Sequence, residues 1–238
     1  MALDPRINVV TRSGAQAADI DEGLRTYMLR VYNYMSLGLA VTGLVAWFTA
    51  QSPAILGTIY GTPLAWVVMF APLGMVIFLS ARVHAMSVGA AQATYWIFAS
   101  LIGLSLSYIF IVYTPTSITR VFFITAATFA GMSLYGYTTK RDLSGVGSFM
   151  IMGLWGLIVA SVVNIFLHSS ALHWAISMIG VVVFVGLTAY DTQRIRDAYT
   201  EADGEEMASK KAIMGALTLY LDFLNLFLML LRLMGNRN

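Results

Sequence analysis

The chain has 238 residues, of which 58% are hydrophobic and only 11% are charged, and its net charge is +2. A soluble domain carries roughly 25% charged residues, and a water-soluble fold of this length cannot hide so much apolar surface behind a polar exterior. The composition therefore excludes a soluble enzyme, a disordered chain and a nucleic-acid binder, and it indicates an all-α integral membrane protein with several spans. The absence of cysteine rules out disulfides and thiolate metal sites.

The N-terminal residues are polar and mixed in charge, and they lack the apolar segment of a signal peptide. We expect residues 1–28 to form a cytoplasmic polar tail and residues 29–238 to form a single transmembrane domain. Asp19 or Asp21 is a suitable N-cap for the first helix.

Seven stretches are long and apolar enough to cross a bilayer, which takes roughly 20 residues per helix. They are continuously apolar rather than alternating, which favours helices over a β-barrel. The predicted spans are Leu29–Ala50, Leu64–Ala81, Ala90–Tyr113, Ile118–Tyr137, Gly147–Leu167, Leu172–Asp191 and Ala212–Met234. The connections are short except for a charged loop predicted at Thr192–Lys211.

The distribution of lysine and arginine predicts the orientation of these spans. Of the 14 basic residues, only Arg120, Arg232 and Arg237 fall on the side opposite the N-terminus. Because positive loops stay in the cytoplasm, the N-terminus is predicted to be cytoplasmic. Seven full spans then place the C-terminus outside, whereas a re-entrant last span, suspected because Asp222 lies in its middle, would return it to the cytoplasm.

Asp222 is the most informative ionisable residue, since a charge inside hydrocarbon costs about 2.5 to 3.5 kcal/mol on insertion scales. It lies eleven residues beyond Lys211, about 16 Å at 1.5 Å per residue, which is close to the membrane centre. Asn225 is one turn further and shares its face. Asp222 either serves function or, as a neutral acid, holds a neighbouring helix by a hydrogen bond.

Asp191 ends the sixth apolar run and is either functional or an interfacial carboxylate paired with Arg194 and Arg196. Its depth argues against a meeting with Asp222, because it lies only about 4.5 Å inside Arg194. The two aspartates meet only if the seventh helix starts in the cytoplasm or if the sixth continues past its apolar run.

Arg82 closes the second span and serves either as an anchor that reaches the membrane interface or in function. The three histidines, His84, His168 and His173, are scattered and have no metal-binding spacing. No motif for a nucleotide or another cofactor is present.

Two motifs carry a family resemblance. One is Tyr190-Asp191-Thr192-Gln193, and the other is Leu219-Tyr220-Leu221-Asp222-Phe223-Leu224-Asn225-Leu226-Phe227, followed by Leu230-Leu231-Arg232-Leu233-Met234-Gly235. Together they resemble the signature of the Bax inhibitor-1 (transmembrane BAX inhibitor motif) family in its bacterial branch, over about Arg25 to Gly235.

The resemblance implies seven transmembrane helices, with six wrapped around a central C-terminal helix. It implies that Asp191 and Asp222 face each other as a pair and that an arginine near the end of the second span, here Arg82, gates or neutralises them. The implied activity is a pH-sensitive calcium leak, in which Ca²⁺ is the permeant or weakly bound ion. On ligand number, Asn225 or main-chain carbonyls, together with water, would have to help the aspartates hold it. Two carboxylates are too few for a tight site, because Ca²⁺ takes six to eight oxygen ligands.

Two alternatives stay open at this stage. Family members in animals are linked to protection from cell death and some bacterial ones to modulation of a membrane-bound protease, so the chain could be an interaction protein without flux. Paired aspartates also suit an intramembrane aspartyl protease, but the Gly-x-Gly-Asp half of that signature is replaced by Tyr220-Leu221-Asp222. We expect a non-enzymatic, multi-pass protein of the bacterial plasma (inner) membrane.

Overall fold

A computed structural model describes the backbone of residues 5–238 and the side chains of residues 22–238. This part of the chain is all-α, with one short 3₁₀ segment at Val83–Ala85 and no β-strand. The helices are α1 (Pro5–Ala50), α2 (Pro53–Tyr60), α3 (Leu64–Arg82), α4 (Val88–Leu106), α5 (Ile109–Val112), α6 (Pro115–Thr138), α7 (Ser144–Leu167), α8 (Ser170–Asp197) and α9 (Glu205–Met234).

Seven of the described helical segments are long and apolar enough to span a membrane, with α4 and α5 together forming one of them. The predicted all-α membrane protein with seven spans is therefore confirmed. Hydroxyl side chains begin several of the helices: Ser87, Thr114 and Ser169 each accept a hydrogen bond from a main-chain N–H three residues further on, which satisfies a donor that the first turn leaves free.

The last helix, α9, is the centre of the bundle. It packs against α1, α4, α6 and α8, and 61% of its most apolar stretch is buried, compared with 6% for α7. The other two spans lie further out, since α3 packs mainly on α4 and α7 mainly on α8. The central C-terminal helix that the family resemblance implies is thus present.

A glycine sets the close crossing of α6 and α8. A Cβ atom added to Gly136 would lie 2.1 Å from the main-chain oxygen of Ala189. Any larger residue would have to push the two helices apart, so their approach requires glycine at this position.

The N-terminal polar residues differ from the predicted tail in their backbone. Helix α1 begins at Pro5 and runs without a break into the first span, so neither Asp19 nor Asp21 starts the helix as an N-cap. The side chains of residues 5–21 and all of residues 1–4 lie outside the described part. The cytoplasmic position of residues 1–28 stays a prediction.

The predicted loop Thr192–Lys211 is mostly helical. Helix α8 continues six residues past Asp191, α9 begins at Glu205, and only residues 198–204 connect them. Hydropathy does not identify these ends as helical, because they are polar. Their charges are nevertheless favourable to the helix dipole: Glu205 lies in the first turn of α9, and Arg194 and Arg196 lie in the last turn of α8.

The C-terminal residues lie at the opposite end of the bundle from the α8–α9 connection. Thr114 N–H donates to the Asn236 main-chain oxygen at 3.1 Å, and Asn238 N–H donates to that of Val112 at 3.0 Å. Helix α9 therefore runs the full length of the bundle as one helix and is not a re-entrant hairpin. The other end, formed by the connections 83–87, 139–143 and 198–204, is called the basic end below.

Candidate functional site

Asp191 of α8 and Asp222 of α9 form a buried acidic pair. Their carboxyl groups lie within hydrogen-bonding reach of each other, and the two residues are only 8% and 5% exposed. The Oδ2 atom of Asp222 has no hydrogen-bond partner among the described residues. Asp222 therefore lies against Asp191, and no basic side chain among the described residues forms an ion pair with it.

The two aspartates meet because α8 continues past its apolar run. Lys211 Nζ donates to the Ala198 main-chain oxygen at 3.0 Å, so Lys211 lies level with Ala198 and not with Arg194. Asp191 is seven residues inside this level and Asp222 is eleven, about 10 Å and about 16 Å along their helices. The depth comparison made from the sequence measured Asp191 from Arg194, which is not level with Lys211. The actual difference in depth between the two aspartates is about one helical turn, and their side chains bridge it.

A cavity of about 310 Å³ reaches Asp191 from the basic end. Its walls include Ser80 and His84 from the end of α3 and its following segment, Asp191 and Arg194 from α8, and Lys210 from α9. Asp222 does not line this cavity, so it lies behind Asp191. The acidic pair is thus reached, through Asp191, from the basic end of the bundle.

The lysines of this cavity are paired with acids. Lys210, which is 5% exposed, lies 2.8 Å from Glu206 and donates to the His84 main-chain oxygen at 3.2 Å. Lys211 lies 2.5 Å from Asp203. Arg194 is the basic residue whose charge acts on Asp191. The net positive charge of the cavity lining is consequently reduced.

The other residues predicted for the site are placed differently. Arg82 is exposed, and no hydrogen bond or ion pair described for residues 22–238 joins it to the aspartates. Asn225 is partly buried and donates its amide to the Leu221 main-chain oxygen of its own helix at 2.8 Å. The structure thus brings Asp191 and Asp222 together, whereas Arg82 and Asn225 do not bond to the pair in this conformation.

Gln193 is a buried residue of the site region that the sequence analysis did not single out. Its Oε1 atom accepts from Leu143 N–H at 2.8 Å, and its Nε2 atom donates to the Arg141 main-chain oxygen at 2.8 Å. These bonds hold α8 to the connection between α6 and α7. The sequence does contain a signal that points to this residue, because Gln193 completes the Tyr190-Asp191-Thr192-Gln193 motif.

Thr192 also joins neighbouring helices through its hydroxyl. Its Oγ1 atom lies 3.0 Å from Ser133 Oγ of α6, which in turn lies 2.7 Å from the hydroxyl of Tyr32 on α1. The Thr192 hydroxyl itself donates to the Thr188 main-chain oxygen at 2.7 Å. The motif residues around Asp191 therefore fix the position of α8 against α1, α6 and the α6–α7 connection.

Seven apolar helices packed around a buried acidic pair define a polytopic α-helical membrane protein with ionisable groups in its interior. The chain belongs to the Bax inhibitor family: the family described as "Inhibitor of apoptosis-promoting Bax1" matches residues 24–238.

Relatives match nearly the whole chain. The uncharacterized protein RP147 of Rickettsia prowazekii is 52% identical over 91% of this chain and 92% of its own length. Inner membrane protein YbhL of Escherichia coli K12 is 50% identical over 90% of this chain and 93% of its own. An uncharacterized protein of Caulobacter vibrioides is 46% identical over 91% and 90%. All three relatives are bacterial proteins, and one of them is named an inner membrane protein.

Proposed function

We propose that this protein is a pH-sensitive leak for Ca²⁺ and related cations, controlled by the Asp191–Asp222 pair. The observation that carries the proposal is the meeting of two buried carboxyl groups, one of them with an oxygen that has no partner in the described chain, at the inner end of a cavity. Ionisable groups in a membrane interior are costly and are kept mainly where ions or protons move.

The chemistry of the pair supports a link between protons and cations. Two carboxylates in contact in a low-dielectric interior cannot both ionise at low cost, so they share a proton and titrate as a unit. An entering Ca²⁺ would stabilise the doubly ionised form and displace that proton. Because Ca²⁺ takes six to eight oxygens, main-chain oxygens, water and the Asn225 amide oxygen would have to assist. Such weak binding suits passage better than storage.

The packing suggests where the path opens. The cavity from the basic end stops at Asp191, and beyond the pair α9 is packed with buried side chains such as Leu226 and Leu230. This conformation is the closed one in our proposal. The end of α3 forms one wall of the cavity, and Arg82 lies between its lining residues Ser80 and Val83. A shift of α3 would bring Arg82 towards the pair, which is the gating role we propose for it.

A flux measurement tests the proposal. The purified protein is reconstituted in liposomes loaded with a calcium dye, and Ca²⁺ entry is followed at several pH values for the natural protein, Asp191→Asn and Asp222→Asn. We expect entry that changes with pH in the natural protein and no longer does so in either variant. Asp142→Asn is the matched control, because Asp142 is an exposed carboxylate at the basic end that accepts a hydrogen bond from Ser144 N–H at 2.8 Å.

The outcomes separate the proposed leak from the alternatives. An unchanged pH profile in Asp222→Asn would refute the role of the pair. No protein-dependent flux at any pH would refute the leak and favour an interaction protein, for instance one that modulates a membrane protease through the 198–204 connection and the N-terminal residues.

An intramembrane protease is disfavoured by the surroundings of Asp222. Tyr220, two residues before it, is fully buried, and its hydroxyl lies 2.6 Å from Thr42 Oγ1. A peptide backbone would have to approach where this bulky side chain is packed. Cleavage of a helical reporter that is lost in Asp191→Asn and Asp222→Asn would overturn this argument.

We place the protein in the bacterial inner membrane with the basic end in the cytoplasm. The E. coli relative is named an inner membrane protein, and the excess of lysine and arginine at this end follows the positive-inside rule. Protease accessibility of a tag at the N-terminus, measured in inverted and right-side-out vesicles, tests the orientation.

A further inference from the structure

A large apolar groove lies between α1 and α6, and it shares no lining residue with the cavity that reaches Asp191. Its volume is about 840 Å³, within the range of roughly 300 to 1,000 Å³ that ligand sites occupy. Both helices pack against α9, and Phe223 of α9 lies between them at the floor of the groove. The ring of Phe223 packs on Phe122 and Phe129 of α6, with centroid distances of 5.6 and 5.5 Å.

Small side chains on both helices form part of the walls of the groove, between larger apolar side chains. Ser36, Ala40 and Gly43 line it from α1, and Ala126 and Ala130 line it from α6. A Cβ atom added to Gly43 would meet nothing within 4 Å. The space between the walls is therefore open, and small side chains on both sides provide its width.

The groove opens sideways, towards the region that lipid occupies around a membrane-spanning bundle. Leu29, Leu44 and Leu134 line it and are 51%, 57% and 63% exposed. In a bilayer these side chains contact acyl chains. An occupant that enters from this side therefore comes from the membrane.

Polar groups line the groove mainly near the basic end. Arg25 and Tyr137 lie towards this end of their helices, and the hydroxyls of Tyr32 and Ser133 are close to it. The rest of the lining is largely apolar. From Arg25 to Leu44 the α1 wall covers twenty residues, about 28 Å from the first to the last. The groove thus has the polarity of an amphiphile, with a cationic end and a long apolar body.

We propose that this groove binds one anionic phospholipid, with an acyl chain between α1 and α6 and its phosphate at Arg25. The apolar part alone would bind any chain weakly, since a chain leaving the bilayer gains packing contacts but no hydrophobic energy. Selectivity then comes from the headgroup, because a basic side chain at the membrane surface favours anionic lipid. This inference is independent of the proposed leak.

Native mass spectrometry of the purified full-length protein tests the proposal, with phosphatidylglycerol and phosphatidylcholine of identical chains as probes. We expect one retained lipid per protein and a preference for phosphatidylglycerol of about fivefold, as one basic side chain confers. Gly43→Leu should abolish the retained lipid by filling the groove. Gly131→Leu is the matched control, because Gly131 is exposed on α6, outside the groove lining, and also has open space around it.

The headgroup contact is tested separately. Arg25→Gln should keep one bound lipid but lose the preference for phosphatidylglycerol, whereas Lys140→Gln, which alters an exposed lysine at the same end, should keep both. Equal lipid retention in Gly43→Leu and the natural protein would overturn the groove as the site. Retention without a headgroup preference would overturn the role of Arg25. A dimer that Gly43→Leu disrupts, with no lipid retained, would identify a second copy as the occupant and refute the lipid proposal.

Discussion

The ammonium group of Lys210 donates a hydrogen bond to the main-chain oxygen of His84 at 3.2 Å, which joins the central helix α9 to the segment that follows α3. Elsewhere α3 packs mainly on α4, and Pro72 interrupts the hydrogen-bond ladder inside it. The Lys210 contact therefore ties a peripheral helix to the centre of the bundle, at the cavity that reaches Asp191.

Removing this contact should loosen the end of α3. Lys210→Met keeps the length and the apolar stem of the side chain but leaves the His84 oxygen without its charged donor. Because hydrogen bonds to charged groups contribute about 1.5 to 3 kcal/mol, we expect the free energy of unfolding to fall by about 2 kcal/mol. Hydrogen exchange of residues 80–87 should also rise. Lys140→Met alters an exposed lysine and should change neither quantity; equal effects of the two substitutions would contradict the role of Lys210.

Gly136→Ala should be one of the most damaging small substitutions in the transmembrane region. Its Cβ atom would lie 2.1 Å from the Ala189 main-chain oxygen, so α6 and α8 would have to separate near the site. Overpacking of this kind costs about 1 to 3 kcal/mol, which unfolding in mixed micelles would report. Gly131→Ala on the same helix, with open space around it, is the comparison, and a similar loss of stability there would show that the crossing is not the cause.

Gln193 should be needed for the order of the connection between α6 and α7. Gln193→Leu removes the acceptor of Leu143 N–H and the donor to the Arg141 oxygen. A buried main-chain N–H or C=O group that loses its hydrogen-bond partner lowers the stability of the fold by about 1 to 3 kcal/mol. We expect faster hydrogen exchange at residues 141–147 and a lower free energy of unfolding. Gln51→Leu, at an exposed glutamine near the other end, should leave exchange at 141–147 unchanged.

Calcium binding should strengthen as the pH rises. In the proposed leak, protons and Ca²⁺ would compete for the carboxylates of Asp191 and Asp222, so the apparent affinity should increase by up to about tenfold per pH unit while one proton is displaced. Asp191→Asn and Asp222→Asn should weaken binding and remove this slope in a ⁴⁵Ca²⁺ binding assay. Asp142→Asn should preserve it.

The histidine in the same cavity provides a second control for this pH dependence. Histidine is the side chain that ordinarily changes charge between pH 5 and 8, and His84 lines the cavity together with Arg194, Lys210 and Lys211. His84→Gln should keep the slope if the aspartates are its source. Loss of the slope in His84→Gln, with the slope intact in Asp222→Asn, would refute the aspartate pair as its source.

Local patterns predicted the spans well and the helix ends poorly. A run of about 20 apolar residues identifies a spanning helix without knowledge of its neighbours. Six of the seven predicted runs each lie within one helix, and the third is divided at residues 107–108 into α4 and α5. The ends of α8 and α9 are polar, and hydropathy assigned them to a loop. Their helical conformation is favoured by the charges at Arg194, Arg196 and Glu205, which act on the helix dipole and carry no hydropathy signal.

The sequence by itself determined that this protein is a seven-helix membrane protein, that its basic residues concentrate at one end, and that Asp222 is a carboxyl group inside an apolar span. Only the tertiary structure decided that Asp191 faces Asp222, that Arg82 makes no hydrogen bond or ion pair with them among the described residues, and that α1 and α6 leave a groove between them. The reason is physical. Composition and hydropathy are sums over neighbouring residues, whereas the level at which two helices meet depends on packing, here on Lys211 at Ala198 and on the close approach at Gly136.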